Sequence, residues 1–212
     1  MKTLVLRFAG PLQSWGTSSK FMRRDTSAYP TFSGVIGLLS AALGRHRGSD
    51  PSDLTVLDMA VRVDKPGELL TDYHTVNECG DTRLTRREYL ADAQFTVALT
   101  GDGDLVDQLA RAVAKPVFQL ALGRRACVPV GPVLRGVVDG GADDAFAKLD
   151  PDPTATVVRT ATDPRGVRDA FVQWDIPYTR DGRWHYRPRT VVVERAEVAG
   201  TADSFDPFSI ID

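Results

Sequence analysis

The spacing of apolar positions changes repeatedly along the chain, and each change marks an element. Lys2 to Phe8, KTLVLRF, alternates apolar and polar residues and predicts a strand. From Tyr29 to Leu43, YPTFSGVIGLLSAAL, the period lengthens. Val35, Ile36, Leu38, Leu39, Ala42 and Leu43 form a broad apolar face, and Thr31 or Ser33 can cap the helix. Gly34 and Gly37 fall in its first turns. Each costs helix stability of roughly 1 kcal/mol against alanine, so each implies a close approach to the helix backbone, by a strand or by a phosphate. Thr55 to Val63 and Glu68 to Val76 read as strands around a Pro66-Gly67 turn. Asn77 to Leu90 is polar and has no apolar period, so it reads as an excursion from the sheet. Gln94 to Leu99 alternates as a strand, and Asp104 to Val113 has helical spacing. Phe118 to Leu122 continues as a strand or short helix. In the last third, Ala142 to Leu149 predicts a short helix and residues 150–153 a proline-rich break. Thr156 to Thr160, Ala170 to Pro177 and Trp184 to Val193 predict strands, the last two joined by an Asp181-Gly182 turn.

The order strand, helix, two strands, excursion, strand, helix fits an α+β fold of ferredoxin-like (RRM-type) form, an antiparallel sheet with helices on one face. Residues 1–135 would form this body, with the excursion near 77–90, and residues 136–212 a small C-terminal β-rich element. No internal repeat or low-complexity segment interrupts it.

Composition narrows the chemistry. No apolar run approaches the ~20 residues of a membrane span, so no membrane partner is expected. The N-terminus is too short in apolar residues for a secretory signal and the expected compartment is the cytoplasm. Cys79 and Cys127 are the whole cysteine inventory, and His46, His74 and His185 are the only histidines. That leaves almost no material for a structural zinc site, and no metal or cofactor is expected. No GxSxG, P-loop or GxGxxG pattern occurs, and the Asp102-Gly103-Asp104 turn lacks the EF-hand spacing. A metal-independent ribonuclease would need a base near a ribose 2′-OH, a task open to His46, His74 or Tyr73.

The net charge of −2 argues against a general nucleic-acid binder, but the charge is segregated. Residues 1–48 hold seven Lys/Arg against one acid (+6), and residues 49–81 two against eight (−6). Residues 82–135 hold eight against five (+3), and residues 136–212 nine against fourteen (−5). Screening leaves a local basic surface able to bind phosphates. Three arginine clusters could do so: Arg23 and Arg24; Arg83, Arg86 and Arg87; Arg124 and Arg125. Trp15 and Tyr89 could stack on unpaired bases, unless Trp15 packs on the sheet. Gln13, Ser14, Thr17, Ser18 and Ser19 offer hydrogen bonds to base edges and 2′-OH groups.

Four blocks carry a family likeness: GPLQSWG (Gly10 to Gly16), PTFSGVIGLLSAALG (Pro30 to Gly44), RREYLADAQFTVAL (Arg86 to Leu99) and FQLALGRRACVP (Phe118 to Pro129). In this order they resemble the CasD subunits of type I-E CRISPR Cascade complexes, within the RAMP superfamily of RNA-binding proteins. The resemblance implies a ferredoxin-like domain with a protruding thumb at the excursion and a small C-terminal β element. It implies a subunit that caps the complex, binds the crRNA 5′ handle and packs against a CasC-type backbone subunit and a CasA-type large subunit. Target DNA would be met indirectly, through positioning of the guide. In some other CRISPR subtypes the corresponding subunit cuts precursor RNA; in type I-E a separate subunit does, so binding is carried over and cleavage is not. Handle contacts are expected along the opening loop at Gln13, Ser14, Trp15 and Gly16, with Gly10 and Gly16 also shaping its turn, and at Ser33 and Gly34; backbone and thumb contacts are expected at Arg23, Arg24, Arg83, Arg86 and Arg87.

Overall fold

The computed structural model describes residues 1–17, 23–78, 81–149, 155–160 and 169–194. Ser18, Ser19, Cys79, the break at 150–153 and the end of the C-terminal element at 195–212 lie outside the described residues. In chain order the elements are β1 (Lys2–Ala9), β2 (Leu12–Gln13), β3 (Arg23–Arg24), α1 (Phe32–Ala42), β4 (Asp58–Lys65), β5 (Glu68–Glu78) and β6 (Asp81–Ala91). They continue with β7 (Gln94–Gly101), α2 (Gly103–Ala114), β8 (Leu134–Asp139), α3 (Ala142–Leu149), β9 (Thr156–Thr160), β10 (Ala170–Arg180) and β11 (Arg183–Glu194).

A seven-stranded sheet runs β10-β11-β9-β4-β7-β1-β8, every neighbour antiparallel. Strand alternation divides β1 between two cores. Leu4, Leu6 and Phe8 join the main core with Val35, Ile36 and Leu39 of α1 and Val106, Leu109 and Val113 of α2. Val5 faces the other way, against Val138 and Ala145 of α3. The helices therefore do not all share one face: α1 and α2 cover one side and the short α3 the other. The expected boundary at residue 135 falls inside β8, which pairs along β1, and β9 to β11 extend the same sheet beyond β4.

Helix ends follow their caps. Thr31 accepts from the Gly34 amide at 3.3 Å, and Asp102 from the Asp104 and Leu105 amides at 3.0 and 3.4 Å. The β10–β11 turn has Asp181 and Gly182 at φ 52° and 68°, the left-handed pair that a tight hairpin needs.

Two expectations change. Phe118 to Leu122 forms neither strand nor helix; its neighbours hold it, with the Val117 and Phe118 amides donating to Ala42 and Ala41 carbonyls at 3.0 and 3.1 Å. The excursion is also not irregular. It is β6, the return strand of a hairpin paired with β5 without a break from Glu68↔Ala91 to Glu78↔Asp81. At about 3.3 Å per residue each arm is about 35 Å long. This hairpin belongs to a second, four-stranded sheet in which β6 also pairs with β2 and, in parallel, with β3.

Candidate nucleic-acid interface

The opening loop is built from the inside. Trp15 is fully buried, with its ring stacked on Phe8 at 5.3 Å. Its indole N–H donates to Gln13 Oε1 at 3.1 Å. Gln13 Nε2 in turn donates to the Ala93 and Phe8 carbonyls at 2.8 and 3.3 Å. The hydroxyl of Ser14 donates to the Glu88 carbonyl at 3.0 Å. So Gln13 and Trp15 spend their polar groups inside the protein, and Trp15 offers no free face for stacking. An apolar ring and a satisfied amide lock the loop shape instead.

That indole also accounts for Gly34. A Cβ there would lie 2.8 Å from Trp15 Cε3. The close approach inferred from the helix glycines is therefore an aromatic ring. Gly123 is more constrained: it has φ 85°, and a Cβ would meet the Ser14 carbonyl oxygen at 1.7 Å.

These contacts wall one side of an open cleft of about 400 Å³. Ser14, Trp15 and Gly16 line it from the loop, Thr31, Ser33 and Gly34 from the start of α1, and Arg24, Gly123 and Arg124 from the β3 side. The far wall is Trp184 and Tyr186 of β11. Sequence reading missed both because they arrive from about 150 residues away and sit in an ordinary alternating strand. The α1 end of the cleft is fixed by a buried ion pair. Asp175 is the extra residue of a β-bulge between Trp174 and Ile176. It accepts two hydrogen bonds from Arg189 and one from the Phe32 amide, all at 2.8 Å. The first amide of α1 is thus occupied by protein.

Strand alternation sorts the arginines. Parallel pairing sets Arg23 beside Arg86 and Arg24 beside Arg87. On one face Arg23 meets Asp25 at 2.8 Å and Glu88 at 3.9 Å, while Arg86 meets Glu88 at 3.1 Å. Those two charges are answered. Arg24 and Arg87 belong to the other face. No described residue partners the Arg24 guanidinium, and Arg87 Nε is buried without a hydrogen-bond partner among the described residues. Arg124 lies 4.7 Å over the Tyr89 ring and donates to the Glu88 and Arg24 carbonyls at 3.1 and 2.6 Å, clamping β6 to β3. Arg83 sits farther out on the hairpin, exposed, opposite Val76.

His74 lies exposed on β5 with Nδ1 3.2 Å from Asp72 Oδ2. Cys127 is buried and desolvation pushes its thiol up, which suits a packing role. Among the described residues no three His, Cys, Asp or Glu side chains gather as a metal site, and no helix is long and apolar enough to cross a membrane.

Fold and cleft together define a mostly antiparallel α/β protein with arginines gathered along one open groove. The family described as CRISPR-associated protein (Cas_Cas5) matches residues 3–192, and the chain belongs to that family. It is 36% identical over 200 residues to the CRISPR system Cascade subunit CasD of Escherichia coli (strain K12), covering 82% of this chain and 88% of the relative. A chain of a solved CRISPR RNA-guided surveillance complex matches with TM-score 0.74 and 33% identity, over 92% of this chain and 90% of that one. A crystal structure of a Cas protein matches with TM-score 0.70 and 37% identity, over 92% and 94%.

Proposed function

We propose that this chain is a non-catalytic, cytoplasmic subunit of a CRISPR surveillance complex, and that it binds and caps the crRNA 5′ handle. Its relatives' names support the assembly. The observation that carries the RNA reading is the pair of neighbouring arginines, Arg24 and Arg87, neither held in an ion pair by a described residue, although Asp72 stands opposite Arg87 in the hairpin ladder. Two like charges held side by side are stabilised by an anion between them, and a phosphate fits the guanidinium fork. In this reading Arg24, Arg83 and Arg87 follow the RNA backbone. Gln13, Ser14, Trp15 and Gly34 shape the groove, and Ser33 faces it. Residues 1–135 make the gripping body, the β5–β6 hairpin is its thumb, and residues 136–212 complete the groove through β11. The strand order β8-β1-β7-β4, with α1 and α2 on one side, favours a ferredoxin-like body. A CasC-type backbone subunit and a CasA-type large subunit are the neighbours, and target DNA is reached through the guide.

Filter binding of handle RNA across a salt series tests this. Arg24→Ala is expected to weaken binding and to flatten the log–log salt slope by about 1, whereas Arg23→Ala, whose charge is already neutralised, changes little. Unchanged affinity and slope in Arg24→Ala/Arg87→Ala would remove the groove as an RNA site. The exposed His74–Asp72 pair favours a second reading, a metal-independent endoribonuclease acting on CRISPR repeat RNA. Specific cleavage of repeat RNA in EDTA, lost in His74→Ala, would replace the first reading with it.

A further inference from the structure

The geometry points to a nucleobase seat within the cleft: one extruded base stacks on the ring of Tyr186, while Arg24 holds the phosphate beside it. This rests on the RNA reading above and gives the groove a step that senses bases.

The two cleft-facing aromatics of β11 are not equivalent. Trp184 is fixed. Its indole N–H donates to the Ser49 carbonyl at 2.8 Å, and a Cβ on Gly37 would lie 3.9 Å from its Cζ3, so the ring packs against α1. Tyr186, two residues along the same strand and on the same face, is 43% exposed. Among the described residues that line the cleft it is the most exposed aromatic ring. An exposed aromatic ring on a rigid strand costs little further ordering when a base stacks on it, and every base has a π-face to offer.

The opposite wall leaves room. Gly16 has open space where a side chain would begin, with nothing within 4 Å. The cleft volume of about 400 Å³ lies in the range of small-ligand pockets. Ser33 supplies a hydroxyl from the first turn of α1, with both donor and acceptor capacity for a base edge. A bare phosphate would need neither the ring nor this depth. An extruded nucleotide uses the ring, the hydroxyl of Ser33 and the Arg24 guanidinium together.

The test is fluorescence anisotropy of the full chain with handle RNA and with a set of handle RNAs, each carrying one abasic position. Wild type is expected to show one position at which loss of the base weakens binding about 5- to 150-fold. Tyr186→Ala should weaken intact RNA by a similar factor and erase the penalty at that position, and Tyr186→Phe should retain it. Gly16→Leu adds a side chain at a position that lines the cleft and has open space at its Cβ, and should mimic Tyr186→Ala. Circular dichroism melts confirm that each variant is folded. A flat abasic profile in wild type, or Tyr186→Ala and Gly16→Leu both binding intact RNA as wild type does, overturns the seat while leaving groove binding intact. No binding of handle RNA by wild type removes the RNA reading itself, and the seat with it.

Discussion

Gly34 sets how closely α1 approaches the opening loop, because the face of Trp15 fills the space its side chain would take. Gly34→Ala must push a methyl group to 2.8 Å from an indole carbon that is itself fully buried. Neither the helix nor the ring has slack, so overpacking of about 1–3 kcal/mol is expected, more than the intrinsic gain of alanine in a helix. Urea unfolding checks this, and adding Trp15→Phe should recover part of the loss, since a smaller ring relieves the contact. If Gly34→Ala stabilises the protein instead, the indole is not the constraint. The same ring explains why a tryptophan that looks out of place in a polar loop is there: Phe8, Gln13 and Gly34 each meet it. Its burial was not visible in the sequence, because burial depends on Phe8 and Gly34, which come from different elements.

The Asp175–Arg189 pair joins three elements, β10, β11 and α1, with side chains only 3% and 4% exposed. Breaking it leaves one buried charge unanswered and frees the first amide of α1, so Asp175→Ala is expected to lose about 3–5 kcal/mol. Replacing both partners with apolar residues should lose less, since no lone charge remains. Denaturant melts of the single and double variants distinguish the two; equal losses would mean the pair contributes only through the amide it caps. How far such elements can be read from sequence depends on what their two faces meet. β1 and β7 alternate because one side is core, and α1, α2 and α3 declare themselves through Thr31, Asp102 and spacing. β6 escaped because an 11-residue strand in a free-standing hairpin is wetted on both sides along its outer half and has no apolar period. β8 escaped for another reason: as a half-exposed edge strand interrupted by Gly136, it carries too little alternation to register. The cleft was half legible. Its loop, helix and arginine walls lie in conspicuous blocks, while Trp184 and Tyr186 occupy a strand whose pattern says only that it is a strand.

Segregated charge becomes a local surface through one pairing. The two basic stretches, 1–48 and 82–135, meet where β3 lies beside β6, while the acidic stretch between them is used up in β4, β5 and their connections. Opposed blocks that nearly cancel in the total thus bring Arg24 and Arg87 side by side, while Asp25 and Glu88 answer Arg23 and Arg86 and Asp72 of the acidic stretch stands opposite Arg87. The same pairing roots the hairpin. Tyr89 and Leu90 are buried, and Glu88 is held by Ser14, Arg86 and Arg124, whereas Tyr73 and Leu84 are exposed. Stability should therefore reside in the base of the hairpin and not in its outer half. Replacing residues 74–85 with Asn-Gly would join Tyr73 to Arg86, which are partners in the ladder, through the two-residue turn that such a hairpin favours. The shortened chain is expected to unfold within about 1–2 kcal/mol of wild type, since Thr85, with its hydrogen bond to the His74 carbonyl, is the one buried residue among the described ones it removes. It should keep most of its handle-RNA affinity, because Arg24, Arg87, Arg124 and Tyr186 remain. If the hairpin acts as the proposed thumb, target-DNA binding within the assembled complex should fall, since a hairpin without its outer half would no longer hold the guide in position. Melting curves, handle binding and target binding on the same preparation read the three consequences separately. Loss of folding would mean that the outer hairpin is part of the core, and undiminished target binding would mean that it has no part in placing the guide.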